Sequence, residues 1–277
     1  MTVDTSASPG ALLRAIHQHR SLLYQISQRE VVGRYKGSLL GIGWSLLNPL
    51  LMLAVFTFVF SVVFQARWGV GLPGQEESRG VFALVLFIGL MVHGLFAEIL
   101  TRSPQLVTGN VNYVKKVIFP LEILPVSALL TALFHFCVSL LVWLVGYVLL
   151  LGLPPLTAIY LPLVIAPLLV LSLGVAFVLA SLGVFLRDIA HTMGLLASVL
   201  LFLSPIFFPL ERMPASYQPL LLANPLTFII QQARDVLIWG RQPDLAGLAT
   251  YALVSLALLL AGFAWFQKTR KGFADVL

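Results

Sequence analysis

The chain has 277 residues, 59% of them hydrophobic and 10% charged, with 17 Lys and Arg against 11 Asp and Glu. A soluble domain carries about 25% charged residues, so this chain lacks the charge to cover a water-facing surface, and disorder, coiled coil and disulfide scaffolds are excluded with it. The charges form no continuous stripe or aromatic-interleaved patch, so a nucleic-acid partner is not expected. The single cysteine, Cys137, lies inside an apolar run and offers neither a disulfide framework nor metal-ligand spacing. The expected fold class is all-α: a polytopic membrane protein with six transmembrane helices, an amino-terminal interfacial amphipathic helix, and outer re-entrant helices between spans five and six.

Residues 1–43 hold five basic residues and no long apolar core, so they are expected to stay on the cytoplasmic side. Ser8-Pro9 marks a helix start, a cap followed by proline at the first helical position. Beyond it Leu12, Leu13, Ile16, Leu23 and Ile26 alternate with Arg14, His17, Arg20 and Arg29, the pattern of a helix lying on the inner membrane surface. His17 and His19 are two residues apart, which puts them on different helix faces and argues against a metal site. Gly33, Gly37 and Gly41 follow at four-residue spacing. That spacing suits either a close helix contact or a bend leading into the first span.

A hydrocarbon core of about 30 Å takes roughly 20 helical residues to cross. Uncharged runs occupy 44–64, 81–97, 123–186, 189–210 and 245–267. The longest crosses twice, with Gly152-Leu153-Pro154-Pro155 as its turn. The six-helix domain is therefore 44–267, followed by a tail at 268–277. In the first span Met52, Phe56, Phe60 and Phe64 recur every four residues beneath Trp44 and Asn48, a stripe that could line a conduit or face lipid and a neighbouring span.

An even number of spans puts both termini on one side. That side collects twelve basic residues, from Arg14 to Lys36, in the second-to-third loop, at Arg187 and in the tail, against five on the other. The imbalance predicts cytoplasmic termini. The cytoplasmic loop 101–122 contains Asn110, Asn112 and Tyr113 and leads through Lys115 and Lys116 to Pro120 and Pro125. It reads as a docking element or as a connector held by its lysines. The outer loop 65–80 has the Gly and Pro content of turns. In the outer segment 209–244, Asn224-Pro225 looks like a cap and first turn and Gly240 like a helix stop. Between them Leu226, Ile229, Ile230, Ala233, Val236 and Leu237 recur at helical spacing, opposite Gln231, Gln232, Arg234 and Asp235. This helix is expected to re-enter or lie on the outer leaflet.

Charges at membrane depth are functional candidates by default. Glu98 leads, with His93 and His135 behind it, and Arg102 stands four residues on, at the spacing of a helix ion pair. The chain has no Walker A loop: Gly33-Arg34-Tyr35-Lys36-Gly37-Ser38 has its residue types in the wrong order, and H-E-x-x-H and G-x-S-x-G are absent too. An ion-driven carrier would show more acidic groups near the midplane. No energy source is visible in the chain, and neither a catalytic nor a metal site is expected.

Residues 22–64 resemble the opening of the membrane permeases of polysaccharide-exporting ABC transporters, the O-antigen, capsule and teichoic-acid exporters. The resemblance rests on Arg29-Glu30, Arg34-Tyr35-Lys36 with Ser38, Leu40-Gly41 with Trp44, and Asn48-Pro49-Leu50. It extends to 115–125 (KKVIFPLEILP) and to Ala223-Asn224-Pro225-Leu226 with Arg234. It implies a homodimeric permease in a bacterial inner membrane, working with two copies of a separate ATP-binding subunit that takes the ATP and Mg, while this chain binds no cofactor. It also implies that the cargo is a lipid-linked glycan, that the amino-terminal helix gates, that Asn110, Asn112, Tyr113, Lys115 and Lys116 couple to the ATPase, and that 209–244 forms outer gate helices. Arg29, Arg34, Tyr35 and Lys36 would then meet the carrier pyrophosphate or, equally, anchor to anionic lipid headgroups. An exporter of a drug, haem or lipid, and an ion-coupled carrier or intramembrane enzyme acting alone, are the competing classes.

Overall fold

Residues 9–63, 68, 79–114 and 119–277 are described by the computed structural model, and every regular element among them is helical. The chain starts with α1 (Pro9–Gln18) and α2 (Arg20–Tyr35), two helices broken at His19 where one was expected. Leu12, Leu23 and Ile26 are buried while Leu13 and the Arg14 side are exposed, so the apolar face of this segment packs on the bundle.

Gly37 and Gly41 take left-handed φ values of 86° and 50°, and they turn the chain from α2 into α3 (Trp44–Thr57). Only glycine adopts such angles without penalty. A Cβ added at Gly33, Gly37 or Gly41 would meet nothing within 4 Å, so within this chain the glycine spacing makes a bend and no helix contact. α3 continues as a π-helix over Phe58–Val63.

α4 (Arg79–Arg102) leads through two 3-10 turns to α5 (Val111–Val114). α6 (Ile123–Leu151) ends where Gly152 turns at φ 85°, and α7 (Leu161–Phe185) returns from the Pro154-Pro155 corner as the sequence indicated. α8 (Ile189–Phe202) starts after the Arg187-Asp188 turn. Then come α9 (Gln218–Leu222), α10 (Pro225–Arg234) with a π turn to Trp239, α11 (Leu245–Thr269) and α12 (Phe273–Val276).

Among the described residues five helical segments are long and apolar enough to cross a membrane: Gly41–Phe60, Arg79–Gln105, Ile123–Leu151, Leu156–Phe185 and Leu245–Val276. The stretch expected to span 189–210 is shorter. Its helix stops at Phe202, because prolines at 205 and 209 remove backbone donors and push the residue before each out of the helical region. At 14 residues it is about 21 Å long, less than a hydrocarbon core.

α4 and α7 form the centre, with Val85, Leu86, Ile88, Leu168, Ala176 and Phe177 fully or almost fully enclosed. α7 and α11 cross where Gly174 faces Gly262, so closely that a Cβ on Gly262 would strike the Gly174 carbonyl. Small residues permit that backbone approach. Gly183 likewise admits the Pro104 carbonyl, and Ser103 and Pro104 are buried. The first half of the 101–122 loop therefore sinks into its own bundle instead of standing in water.

Candidate functional site

α2, α4 and α6 meet in a single polar network. Each contributes groups one helical turn apart: Glu30 and Arg34 on α2, Glu98 and Arg102 on α4, Ser127, Thr131 and His135 on α6. Arg34 donates from Nη1 to Glu98 Oε1 at 2.8 Å, and Arg102 donates to the same oxygen at 3.1 Å, the pair foreseen from their spacing. Arg102 also donates to Glu30 Oε2 at 2.8 Å, and the Ser127 and Thr131 hydroxyls donate to the Glu30 carboxylate at 3.2 and 3.1 Å. His135 Nδ1 lies 2.8 Å from Glu98 Oε2, and its Nε2 lies 3.1 Å from the Tyr35 hydroxyl. With a proton on Nδ1 that nitrogen donates to Glu98, and in that tautomer Nε2 accepts from the Tyr35 hydroxyl. Burial raises the Tyr35 pKa, with Arg34 opposing and Glu98 reinforcing. Charge-assisted bonds of this kind are about twice as strong as neutral ones, and here they tie the amino-terminal helices to the bundle.

Directly beside this network lies a cavity of about 440 Å³ between α3, α4, α6 and α8. Met52, Phe56, Phe87, Met91, Phe136 and Leu201 form apolar walls, and Arg34, Tyr35, Glu98 and His135 form a charged end. His93, which also lines it, lies with Nε2 2.9 Å from the Ala197 carbonyl and ties α4 to α8. Such a space matches a molecule with an apolar body and one polar end.

Of the residues expected to line a conduit, Asn48, Met52 and Phe56 border this cavity. Trp44 is half-buried and lines no part of it. Phe60 is stacked on Phe207, centroids 4.4 Å apart at 11°, so its ring packs against the break after α8. Phe64 lies outside the described residues. Among the candidate headgroup cations, Arg34 is engaged by Glu98, Lys36 is exposed, and Arg29 is exposed with its guanidinium 5.9 Å from the Tyr113 ring.

In the candidate coupling loop, Tyr113 is half-buried and stacked on Phe119, 4.2 Å apart at 7°. Asn110 bonds back to the Leu106 carbonyl, and Asn112 is exposed. Lys115 and Lys116 lie outside the described residues. Sequence reasoning missed what backs this loop: Arg270 donates to Glu122 at 2.8 Å and to the Phe119 carbonyl at 3.0 Å. The charges are visible in the sequence, but their separation of 148 positions offers no local signal.

At the other end of α4, Asn224 caps α10 as foreseen, its side chain accepting from the Leu226 N–H at 2.9 Å, and Gly240 ends the following turn at φ 63°. The expected apolar face of α10 is buried in full. Arg234, assigned by spacing to the polar face, is instead 4% exposed. Its guanidinium donates to the carbonyls of Val85 at 3.1 Å, Pro205 at 2.6 Å and Ile206 at 3.1 Å, and lies 4.2 Å under the Trp68 ring. The Pro205 and Ile206 carbonyls, left over by the proline break, are what draw this side chain inward. Burial lowers its pKa to about 9, with Glu211 pulling the other way.

Five long apolar helices and a charged helix pair docked at one end of them describe a multi-pass membrane protein. The chain belongs to the ABC-2 type transporter family, whose model matches residues 21–238. Members of that family are ABC transporter permease subunits, which are not themselves enzymes. The chain is 30% identical to the O-antigen export system permease protein RfbA of Myxococcus xanthus over 271 residues, covering 95% of this chain and 98% of that one. It is 26% identical to the O-antigen export system permease protein RfbA of Klebsiella pneumoniae, with coverage of 92% and 95%. To the polysialic acid transport protein KpsM of Escherichia coli it is 25% identical, with coverage of 86% and 90%.

Proposed function

We propose that this chain is the permease of an ABC exporter that carries a lipid-linked polysaccharide, O-antigen foremost, from the cytoplasm to the outer face of a bacterial inner membrane. In this reading two copies form the permease and two copies of a separate ATP-binding subunit bind ATP and Mg. Both termini lie in the cytoplasm, α8 with the residues after it completes a sixth crossing, and 209–244 re-enters from the outer side. The twelve-to-five distribution of basic residues supports that orientation.

The observation that carries the reading is the cavity beside the α2 network. Its apolar walls suit the chain of a carrier lipid and its charged end suits a phosphate headgroup. Arg34 already holds a carboxylate there, so an arriving pyrophosphate competes with Glu98 for the same guanidinium. Displacement would release the Arg34 end of α2 from α4 and leave the Glu30–Arg102 pair as its pivot, which gives the amino-terminal helices a gating role. The cavity alone does not name a sugar. Glycan enters through the similarity, over most of the chain, to O-antigen and polysialic acid transport proteins. A second reading, export of a lipid without glycan, is favoured by the apolar walls.

Deleting the gene in its host and staining the cell surface for polysaccharide tests this. Loss of surface glycan with accumulation inside the cell, restored by the wild-type gene, is the expected result. Normal surface glycan alongside an altered outer-membrane lipid profile would favour the second reading.

A further inference from the structure

We infer that a second cavity, at the end of the bundle opposite the Arg34–Glu98 network, is a binding subsite for one uncharged sugar ring of the exported chain. The inference rests on the polysaccharide-export reading for its choice of ligand. The cavity measures about 310 Å³ and is bordered by Trp68, Trp239, Glu211, Gln231, Asp235 and Arg241. It sits over Arg234, which bonds Val85. Glu98 lies about 20 Å further along α4 at 1.5 Å per residue, so the two cavities are separate.

The lining has the chemistry that a pyranose demands. A sugar ring offers an apolar C–H face and a rim of hydroxyls that donate and accept in pairs. Trp239 is only half-buried, so part of its indole, an apolar surface with few rotamers to lose, is open to the cavity, while Trp68, buried with Arg234 against its ring, closes the wall. Carboxylates accept two hydroxyl protons each, and the Gln231 amide both donates and accepts.

Among the described residues the cation facing Asp235 is Arg241, at 3.8 Å, beyond a good hydrogen bond, and the Arg241 side chain is 70% exposed, so the carboxylate keeps acceptor capacity. Gln232, the neighbouring amide, is by contrast committed to the Asp244 N–H at 2.7 Å. Arg234 is committed to three carbonyls with its face against Trp68, so it braces the floor without offering a free donor.

Charge also narrows the ligand. Glu211 and Asp235 feel each other: burial first, and then Glu211, raise the Asp235 pKa, while Arg241 lowers it. With Arg241 and the buried Arg234 beside them, the two carboxylates leave the lining with no net charge, so a phosphate or a uronate gains no net attraction there while neutral hydroxyls meet acceptors. A volume near the lower limit for ligand cavities holds one ring, or two at most, so the site samples the polymer and does not enclose it. At the end far from the charged gate, it would hold the leading sugars as they emerge and oppose their slipping back.

The test uses the full chain, purified with its ATPase and placed in lipid nanodiscs. The probe is oligosaccharide released by mild acid from the host's own surface polysaccharide, titrated by saturation-transfer NMR. Wild type should show saturable binding. Glu211→Gln, an isosteric change at an exposed position, and Trp239→Leu should each weaken it about tenfold, whereas Gly194→Ala should not. Absence of saturable binding to wild type, or equal binding to wild type and Glu211→Gln, overturns the subsite. Deletion of the gene reads out separately: if surface glycan is lost on deletion but Glu211→Gln binds like wild type, only the subsite fails. If surface glycan persists after deletion, the export reading fails.

Discussion

Arg34 of α2 and Glu98 of α4 are joined at 2.8 Å, although 64 positions separate them in the chain. Glu98 is 11% exposed in its side chain and Arg34 51%, so the acid is the buried partner and the base reaches in from the surface. Glu98 also serves Arg102 and His135. One carboxylate therefore holds three helices.

Removing that carboxylate should loosen the carboxyl-terminal end of α2, while the Glu30 bonds to Arg102, Ser127 and Thr131 keep its middle docked. Glu98→Gln is expected to destabilise the protein by about 2–4 kcal/mol, below the full figure for a buried pair because Arg34 is half exposed. Tryptic cleavage after Lys36 in detergent should become several-fold faster. The swapped double variant Arg34→Glu/Glu98→Arg should recover part of the protection. If Glu98→Gln is cleaved at the wild-type rate, Glu98 does not hold the end of α2.

Arg234 should prove irreplaceable for a different reason. Lysine keeps the charge but its compact ammonium cannot span three carbonyls as a planar guanidinium does. Arg234→Lys is expected to cost about 2 kcal/mol, and Arg234→Met more, since it takes the donor from the Pro205 and Ile206 carbonyls, which lie outside any helix. Thermal unfolding of the purified protein followed by fluorescence checks the order: wild type, then lysine, then methionine.

Much of this architecture was legible in the sequence. The hairpin corner at Gly152 to Pro155, the Asn224 cap, the Gly240 stop and the buried face of α10 all follow from local chemistry, which acts within a few residues. The Glu98–Arg102 pair was legible for the same reason. What escaped depends on contacts between distant segments. Arg234 read as polar-face because a helical wheel cannot show carbonyls freed by Pro205 and Pro209 on another segment. The end of α8 at Phe202 was obscured because an uncharged run carries no mark of where its hydrogen bonding stops, although Pro205 held that signal. The α2 network had a trace as well: Glu30–Arg34 and Glu98–Arg102 share the same order and spacing, two complementary pairs that could cross-link.

The close crossings predict a sharp contrast among glycines. Gly183→Ala and Gly262→Ala would push a methyl group into the carbonyls of Pro104 and Gly174, which are backbone and cannot swing aside. Each should cost about 1–3 kcal/mol as overpacking. Gly194→Ala, with nothing within 4 Å, should instead gain about 0.5–1 kcal/mol from helix propensity. Melting midpoints of the three variants in one detergent would decide.

The bend before α3 should respond to conformation and not to bulk. Gly37→Ala forces an L-residue to φ 86° and is expected to cost about 1 kcal/mol, with reduced export as α2 is tilted. Gly33→Ala lies within α2 with open space around it and should be neutral or mildly stabilising, with export preserved. Loss of export in Gly33→Ala with unchanged stability would instead point to a close contact with a second copy.

The stripe along α3 separates packing from passage. Phe60 is stacked on Phe207, whereas Met52, 57% exposed, stands in the open wall of the larger cavity. A ring that only packs should matter through stability. Phe60→Leu is expected to lower the melting midpoint while leaving export per folded molecule close to wild type. Phe207→Leu should do the same, and the double variant should lose less than the sum, by about 1 kcal/mol, because the two rings lose one shared contact. A side chain on the route should show the opposite pattern. Met52→Trp adds volume to space that is already empty, so it strains nothing and should leave the melting midpoint unchanged while cutting export at least about tenfold. Quantitative glycan staining normalised to membrane-inserted protein measures both arms. Normal export by Met52→Trp would take the cavity off the transport path, and lost export by a stable Phe60→Leu would put the aromatic ring on it.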